Sequence, residues 1–167
     1  MKEISAKDAF TKLKPEMVVF VISIDKKGKP NGMIVARCLK CSRDPPLMAV
    51  TISKNANTYR LIKESKEFVI ALANEDLLGY IEVFGLQSGK DIDKFEKTKI
   101  ETESAKIIKT PLLKKATINF ECKLENEMET GSSFVVLGRV VAAHVNEGKK
   151  ILFNYGKGYG DYLFKEL

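Results

Sequence analysis

From Thr117 to Leu124 the chain alternates without a break, Thr117, Asn119, Glu121 and Lys123 against Ile118, Phe120, Cys122 and Leu124. Successive side chains of an extended backbone point to opposite faces, so this period of two predicts a strand with one wet and one dry face and excludes a helix there. Glu129-Thr130-Gly131 supplies a turn, and the Val-rich run from Ser133 to Val145 returns as a second long strand that Gly148 ends. The first half reads likewise. Met17 to Ile24, rich in Val, Ile and Phe, predicts a strand buried on both faces, and Asp25-Lys26-Lys27-Gly28-Lys29 a hairpin turn into the strand that begins at Asn31. Leu47 to Ile52 and Glu67 to Ala73 are further apolar strands. Helical signals are few. Ser5, with Asp8 three residues on, predicts a short opening helix whose apolar face is Ala9, Phe10 and Leu13, stopped by Pro15; another stretch follows Asn74-Glu75-Asp76 with Leu77, Leu78, Ile81 and Phe84. Many strands joined by hairpin-like turns predict a mainly β fold, a closed antiparallel barrel with short flanking helices and no exposed strand edge.

At 167 residues the chain can bury a proper core and is expected to form one domain over 1–167. Hydrophobic residues make up 44% and charged ones 30%, which excludes a disordered chain. No apolar run approaches the roughly 18 residues of a membrane helix, and no signal-peptide core follows Met1-Lys2-Glu3, so the cytoplasm is the expected location. Cys38, Cys41 and Cys122 are an odd set that argues against a disulfide framework. Cys38-Leu39-Lys40-Cys41 has the form of a dithiol or zinc motif, but a redox pair wants a helix N-terminus and zinc wants two more ligands, so two small residues lining a strand are expected. The net charge of +6 raises nucleic acid as a partner. The lysines are scattered among 22 acidic residues and Trp is absent, so a solvated basic surface that favours anionic cofactors is expected instead.

The chemistry gathers between Asn31 and Ser65. A strand ends at Pro45-Pro46, a second resumes at Leu47, and Ser53-Lys54-Asn55-Ala56-Asn57-Thr58 leads into the helix-like Tyr59-Arg60-Leu61-Ile62-Lys63. The first N–H groups of a helix have no intrahelical partner and the dipole is positive there. Such a junction either carries an ordinary Asn or Thr N-cap or holds an anion such as phosphate on the backbone, Ser53 and Thr58, with Lys54 close by.

Order and spacing decide more than any one piece. The run N-G-M from Asn31, then C-S-R-D-P-P-L-M-A-V-T-I from Cys41, T-Y-R-L-I-K-E-S-K-E-F-V from Thr58, and F-G-L-Q-S-G-K-D-I-D-K-F from Phe84 resemble the flavin reductase-like family of FMN-binding split barrels, which includes flavoredoxins. The resemblance implies a split barrel of Greek-key antiparallel type, with FMN ahead of FAD as cofactor. It implies an isoalloxazine lying along Asn31, Met33, Val35, Ala36, Arg37 and Cys38, with Cys41 and Ser42 closing its edge. The phosphate would meet Ser53, Lys54, Asn57 and Thr58, with Ser88 and Lys94 reaching phosphate or substrate. Arg37 would place positive charge near the N1–C2 end of the ring. A homodimer is implied too, with the cofactor near the subunit interface and the stretch Tyr155-Gly156-Lys157-Gly158-Tyr159 as a partner contact or a free end.

Two departures bear on activity. The family usually carries Asn where this chain has Ala71, and many of its reductases carry a Gly-Asp-His-Thr-like turn where this chain reads Gly131-Ser132-Ser133. The sole histidine, His144, sits at the far end of that strand, where a surface or barrel-end role is expected. There is no G-x-G-x-x-G after a strand and no P-loop, so NAD(P)H would lie only transiently over the flavin. The expected activity is NAD(P)H-dependent reduction of flavin, ferric complexes or a related acceptor; the alternative is a flavoredoxin-like electron carrier that serves a redox protein and turns over no pyridine nucleotide.

Overall fold

The computed structural model describes residues 1–156 and 162–166, so most of the glycine-rich C-terminal stretch lies outside the described residues. Helix α1 (Ala6–Phe10) is capped by Ser5, whose Oγ accepts the Asp8 N–H at 3.0 Å. It is shorter than expected. Because it stops after five residues, Leu13 never joins the face of Ala9, and Phe10 and Leu13 stay 69% and 66% exposed. Four strands follow the short β1 (Glu16–Met17): β2 (Val19–Ile24), β3 (Pro30–Val35), β4 (Cys38–Ser42) and β5 (Leu47–Ser53). Helix α2 (Asn57–Ser65) leads to β6 (Glu67–Leu72), and a 3-10 turn over Glu75–Tyr80 runs into α3 (Ile81–Leu86). After α4 (Lys94–Thr98) come the two-residue β7 (Thr102–Glu103) and β8 (Leu112–Leu113), the long β9 (Ile118–Thr130) and β10 (Ser133–Val145), then β11 (Leu152–Asn154) and β12 (Phe164–Glu166).

Seven strands form one antiparallel sheet in the order β3-β2-β6-β9-β10-β5-β4. Its two end strands are joined in the chain by Ala36 and Arg37 alone. One bent strand therefore closes the barrel by changing partner, laddering with β2 as far as Val35 opposite Val19 and with β5 from Cys38 opposite Val50. At the changeover the Thr51 N–H donates to the Arg37 carbonyl at 3.0 Å. Ladder bonds between β3 and β4 are impossible at this corner, and the split so formed houses a cleft. The small sheet β1-β11-β12 supplies its far wall.

As expected, β2 is buried on both faces. Val19 and Val21 enter the barrel interior with Phe68, Ile70, Cys122 and Val136, while Phe20 and Ile22 enter an outer layer with Leu77, Ile81, Phe84 and Leu112. Each such side chain contributes about 2 kcal/mol by leaving water. Interior packing also dictates Gly138: a Cβ there would stand 2.5 Å from Phe68 Cζ, and β10 shifts register between Leu137 and Gly138 as it curls round the barrel.

The expected wet face of β9 is a correction. Asn119 and Glu121 are 2% and 0% exposed, because the segment 104–116 covers them; Thr117 is 4% exposed with its hydroxyl on the Lys150 carbonyl, and of the four alternating polar residues only Lys123 is exposed. Asn119 and Glu121 bind that segment's backbone. Asn119 donates to the Leu113 carbonyl and accepts the Leu113 N–H, both at 3.0 Å, and Glu121 accepts the N–H groups of Lys106, Ile107 and Ile108. A buried polar group whose bonds are all made costs little, so from Thr117 to Cys122 alternation marks two covered faces, and the wet face begins at Lys123.

Candidate functional site

The split at Ala36-Arg37 opens a cleft of about 250 Å³. Met33, Val35, Ala36 and Arg37 line one side with Thr51 and Ser53 of β5, and Met17, Tyr162 and Phe164 stand opposite. Tyr162 and Phe164 are stacked, with centroids 5.4 Å apart and planes at 11°. A mostly apolar slot beside the β3–β4 corner suits a flat aromatic ring system, edged by main-chain groups and the exposed Arg37.

Ser53 ends β5, and Lys54 begins a second cleft of about 440 Å³ at the start of α2. Here the ordinary N-cap reading fails: the cap residue is Ala56, which has no side-chain acceptor, and Asn57 and Thr58 lie inside the helix. The terminal N–H groups of a nine-residue helix are thus left without a side-chain cap, beside Lys54, Arg60, Lys63 and Lys90. Lys54 is ion-paired with Glu129, Lys63 with Glu127 at 2.6 Å, and Arg60 with Glu64 at 2.7 Å. Tyr59, which lines the same cleft and stacks on Phe134 at 4.2 Å, has a buried hydroxyl beside the Glu127 carboxylate and Lys63. An uncapped helix start and the cations beside it together fit a phosphate group.

The Ser88–Lys94 segment is docked against this helix end by amides. Asn57 Nδ2 donates to the Gly89 carbonyl at 3.3 Å, and Asn31 Nδ2 to Thr58 Oγ1 at 2.8 Å. Only glycine fits at 89, since a Cβ would stand 1.8 Å from Asn31 Oδ1. Ser88 takes a turn role, its Oγ accepting the Lys90 N–H at 3.1 Å. The two lysines then part company. Lys90 is exposed and reaches the α2 cleft, whereas Lys94 is 4% exposed and donates to the carbonyls of Gly32 at 2.9 Å and Phe84 at 3.0 Å. Burial pulls the Lys94 pKa down to about 8.

The sequence-predicted residues thus fall into groups. Met33, Val35, Ala36, Arg37 and Ser53 share the first cleft and Lys54 the second, while Asn31, Asn57 and Lys94 line a third that adjoins the second. Cys38, Cys41, Ser42, Thr58 and Ser88 line none of the three. Cys38 turns into the barrel interior beside Cys122, where burial pushes its thiol up to about 12; Cys41 is exposed on the far side of β4, so only one of the two small residues is buried. Ser42 is half-buried at the end of β4, and the buried Thr58 hydroxyl supports Asn31. Thr51 and Arg60, which also line the clefts, are not among the sequence-predicted residues, while Lys90 belongs to the Ser88–Lys94 loop whose lysines the sequence offers to a phosphate. Lys90 carried a signal, because it is the residue after the one glycine of its loop. Among the described residues no group of acidic, Cys and His side chains could hold a metal ion, and no helix is long and apolar enough to cross a membrane.

The Gly131-Ser132-Ser133 turn lies against this region, with the Ser132 carbonyl accepting the Lys54 N–H at 3.2 Å and Ser133 in register with Ser53. His144 is elsewhere, half-buried with Nε2 2.6 Å from Glu121 Oε1.

Barrel, split and helix-end cleft are features of one class of protein, and comparison agrees. Residues 12–162 match the model of the flavin reductase like domain, and the chain belongs to that family. An uncharacterized protein of Archaeoglobus fulgidus is 34% identical over 136 residues, covering 81% of this chain and 75% of its own. A ferric-chelate reductase (NAD(P)H) of the same organism is 25% identical over 146 residues, covering 86% and 82%. Among solved structures, the flavoredoxin of Methanosarcina acetivorans superposes with a TM-score of 0.84 at 22% identity, over 100% of this chain and 91% of its own. An FMN-binding protein of Thermus thermophilus gives 0.85 at 23%, over 99% and 96%. These last two likenesses bear on the fold alone.

Proposed function

We propose that this protein binds FMN and is an oxidoreductase that uses NAD(P)H to reduce flavin, a ferric complex or a related acceptor. The observation that carries it is that a slot lined at the β3–β4 corner by Ser53 and the uncapped start of α2, whose cleft begins at Lys54, are set at adjacent residues of the chain. The bound flavin would supply hydride acceptance and stepwise electron transfer. The chain's part is to hold and tune it. Main-chain groups from Val35 to Arg37 bond its polar edge, Arg37 places positive charge at one end, and Lys54, Lys90 and the α2 N–H groups fix the phosphate. Met17, Tyr162 and Phe164 exclude water from the opposite side. Hydride transfer asks for alignment more than for an acid or base, so the site needs no histidine. The Archaeoglobus ferric-chelate reductase supports this reading. A homodimer with the cofactor near its interface accompanies it.

A second reading, a flavoredoxin-like carrier that exchanges electrons with a redox protein, is favoured by the Gly131-Ser132-Ser133 turn beside Lys54, which offers no histidine. One experiment separates the two. Purified protein is loaded with FMN, freed of excess flavin, and treated without oxygen with NADH, NADPH and finally dithionite while the visible spectrum is followed. Bleaching by a pyridine nucleotide is the expected result; bleaching by dithionite alone establishes the carrier, and failure to retain FMN overturns both.

A further inference from the structure

Most of the cations at the start of α2 are already engaged. Of the four that line the cleft, Lys54 pairs with Glu129, Lys63 with Glu127 at 2.6 Å and Arg60 with Glu64 at 2.7 Å, and Lys90 alone forms no ion pair among the described residues. The Arg60–Glu64 pair is an ordinary one, four residues apart on one helix. The other two carboxylates reach in from β9, 75 and 64 positions along the chain. There the period of two sets Glu127 and Glu129 on one face of the strand, opposite Val136 and Phe134 of β10. The lysines they take lie over the stacked rings of Tyr59 and Phe134: Lys54 Nζ stands 5.8 Å from the Phe134 centroid and Lys63 Nζ 5.7 Å from that of Tyr59. Two carboxylates distant in sequence thus occupy the positions that an anion would take at these two lysines.

We propose that Glu129 and Glu127 are internal competitors of the flavin phosphate: they hold Lys54 and Lys63 while the site is empty, and the phosphate binds by displacing them. The inference rests on the flavin reading and deepens it, assigning to β9 the residues that set how tightly the phosphate is held and how fast it leaves. An exposed ion pair is weak, and the Glu129 side chain is 65% exposed, so a phosphate that also meets Lys90 and the uncapped N–H groups of α2 replaces the carboxylate at Lys54. The displaced carboxylates remain tethered to β9, within a screening length of the phosphate, and repel it. Four cations against three carboxylates leave the empty cleft a single positive charge, enough to attract a phosphate and too little to neutralise its dianion.

The test is equilibrium titration of the full chain with FMN and riboflavin, followed by flavin fluorescence, together with the rate of FMN release on dilution. Glu129→Gln and Glu127→Gln remove the competitors. Glu125→Gln removes the same charge from the same strand, but Glu125 pairs with Arg139 and lines none of the three clefts. Glu129→Gln and Glu127→Gln are each expected to tighten FMN about fivefold and to slow its release in proportion, with riboflavin moved by less than about twofold; Glu125→Gln is expected to leave both flavins within about twofold. Glu127 also stands beside the Tyr59 hydroxyl, so the more exposed Glu129 decides the matter. FMN bound no more tightly by Glu129→Gln, or tightened as much by Glu125→Gln, overturns the proposal with the FMN site intact. Failure of the unaltered chain to bind FMN overturns it together with the flavin reading.

Discussion

At Gly89 a single methyl group decides where a loop sits. Its Cβ would collide with Asn31 Oδ1, and Asn31 cannot step aside without giving up Thr58. Gly89→Ala is therefore expected to cost about 1–3 kcal/mol of stability by overpacking, and to lower FMN affinity about tenfold by carrying Lys90 off the helix end. Denaturant unfolding and a flavin titration measure the two effects; an unchanged FMN Kd would show that the loop does not hold Lys90 at the site. Lys94 makes a prediction in pH. Its folded pKa of about 8 lies below its ordinary 10.5, so between those values the unfolded chain holds a proton that the folded one has shed. Stability attributable to this residue then rises as pH climbs from about 8 to 10.5, and burial of the charge weighs most below 8. Melting temperatures of the unaltered chain and Lys94→Met, taken from pH 7 to 10, are expected to diverge in favour of the unaltered chain above pH 8. Parallel curves would refute an ammonium buried as described.

At the scale of elements, the segment 104–116 is held by side chains of the strands it covers. Glu67 Oε1 takes the N–H groups of Lys109 and Thr110 at 2.7 and 2.8 Å, and Glu121 takes three more and His144. Burial alone would raise the Glu121 pKa, but the donors at Lys106, His144, Ile107 and Ile108 outweigh it and hold the carboxyl below its ordinary value. Its stabilisation is therefore present above the ordinary carboxylate pKa and is lost as pH falls through the lowered one. Glu121→Gln is expected to cost about 3 kcal/mol and to speed hydrogen exchange at residues 106–108, with exchange in β2 changed least by comparison. Unaltered exchange at those amides would mean that the segment is held by Ile108 and its apolar neighbours alone. This device was invisible in the sequence. Period two in Thr117 to Leu124 located β9 correctly, but whether a face meets water depends on what lies over it, and 104–116 carries no periodicity to announce itself. The same holds at α2. Ser53 to Thr58 announced a helix start, yet which residue caps it, and that Ala56 leaves it uncapped, depends on backbone angles that residue types only bias. Lys94 and Lys90 are four residues apart in one polar run; only the approach of the Gly32 carbonyl, 62 positions away, makes the first structural and frees the second.

For the whole molecule, the order of motifs carried the fold because the barrel is closed by continuity of the chain: β3 must run into β4 through Ala36-Arg37 for one strand to serve both β2 and β5. The first cleft forms where that strand changes partner, so fold and cleft were legible together. The charge of +6 then acts over the entire surface. It is spread rather than striped, so it favours anions in general and leaves discrimination to the helix end. A flavin phosphate held by Lys54, Lys90 and the start of α2 must feel salt, whereas riboflavin, which has the same ring and no phosphate, must not. Raising NaCl from 0.05 to 0.5 M shortens the screening length about threefold and is expected to weaken FMN several-fold while leaving riboflavin within about twofold. Lys90→Met should flatten the FMN dependence and leave riboflavin alone. If both flavins respond to salt alike, the attraction is a property of the surface and the α2 cleft is not where the phosphate lies.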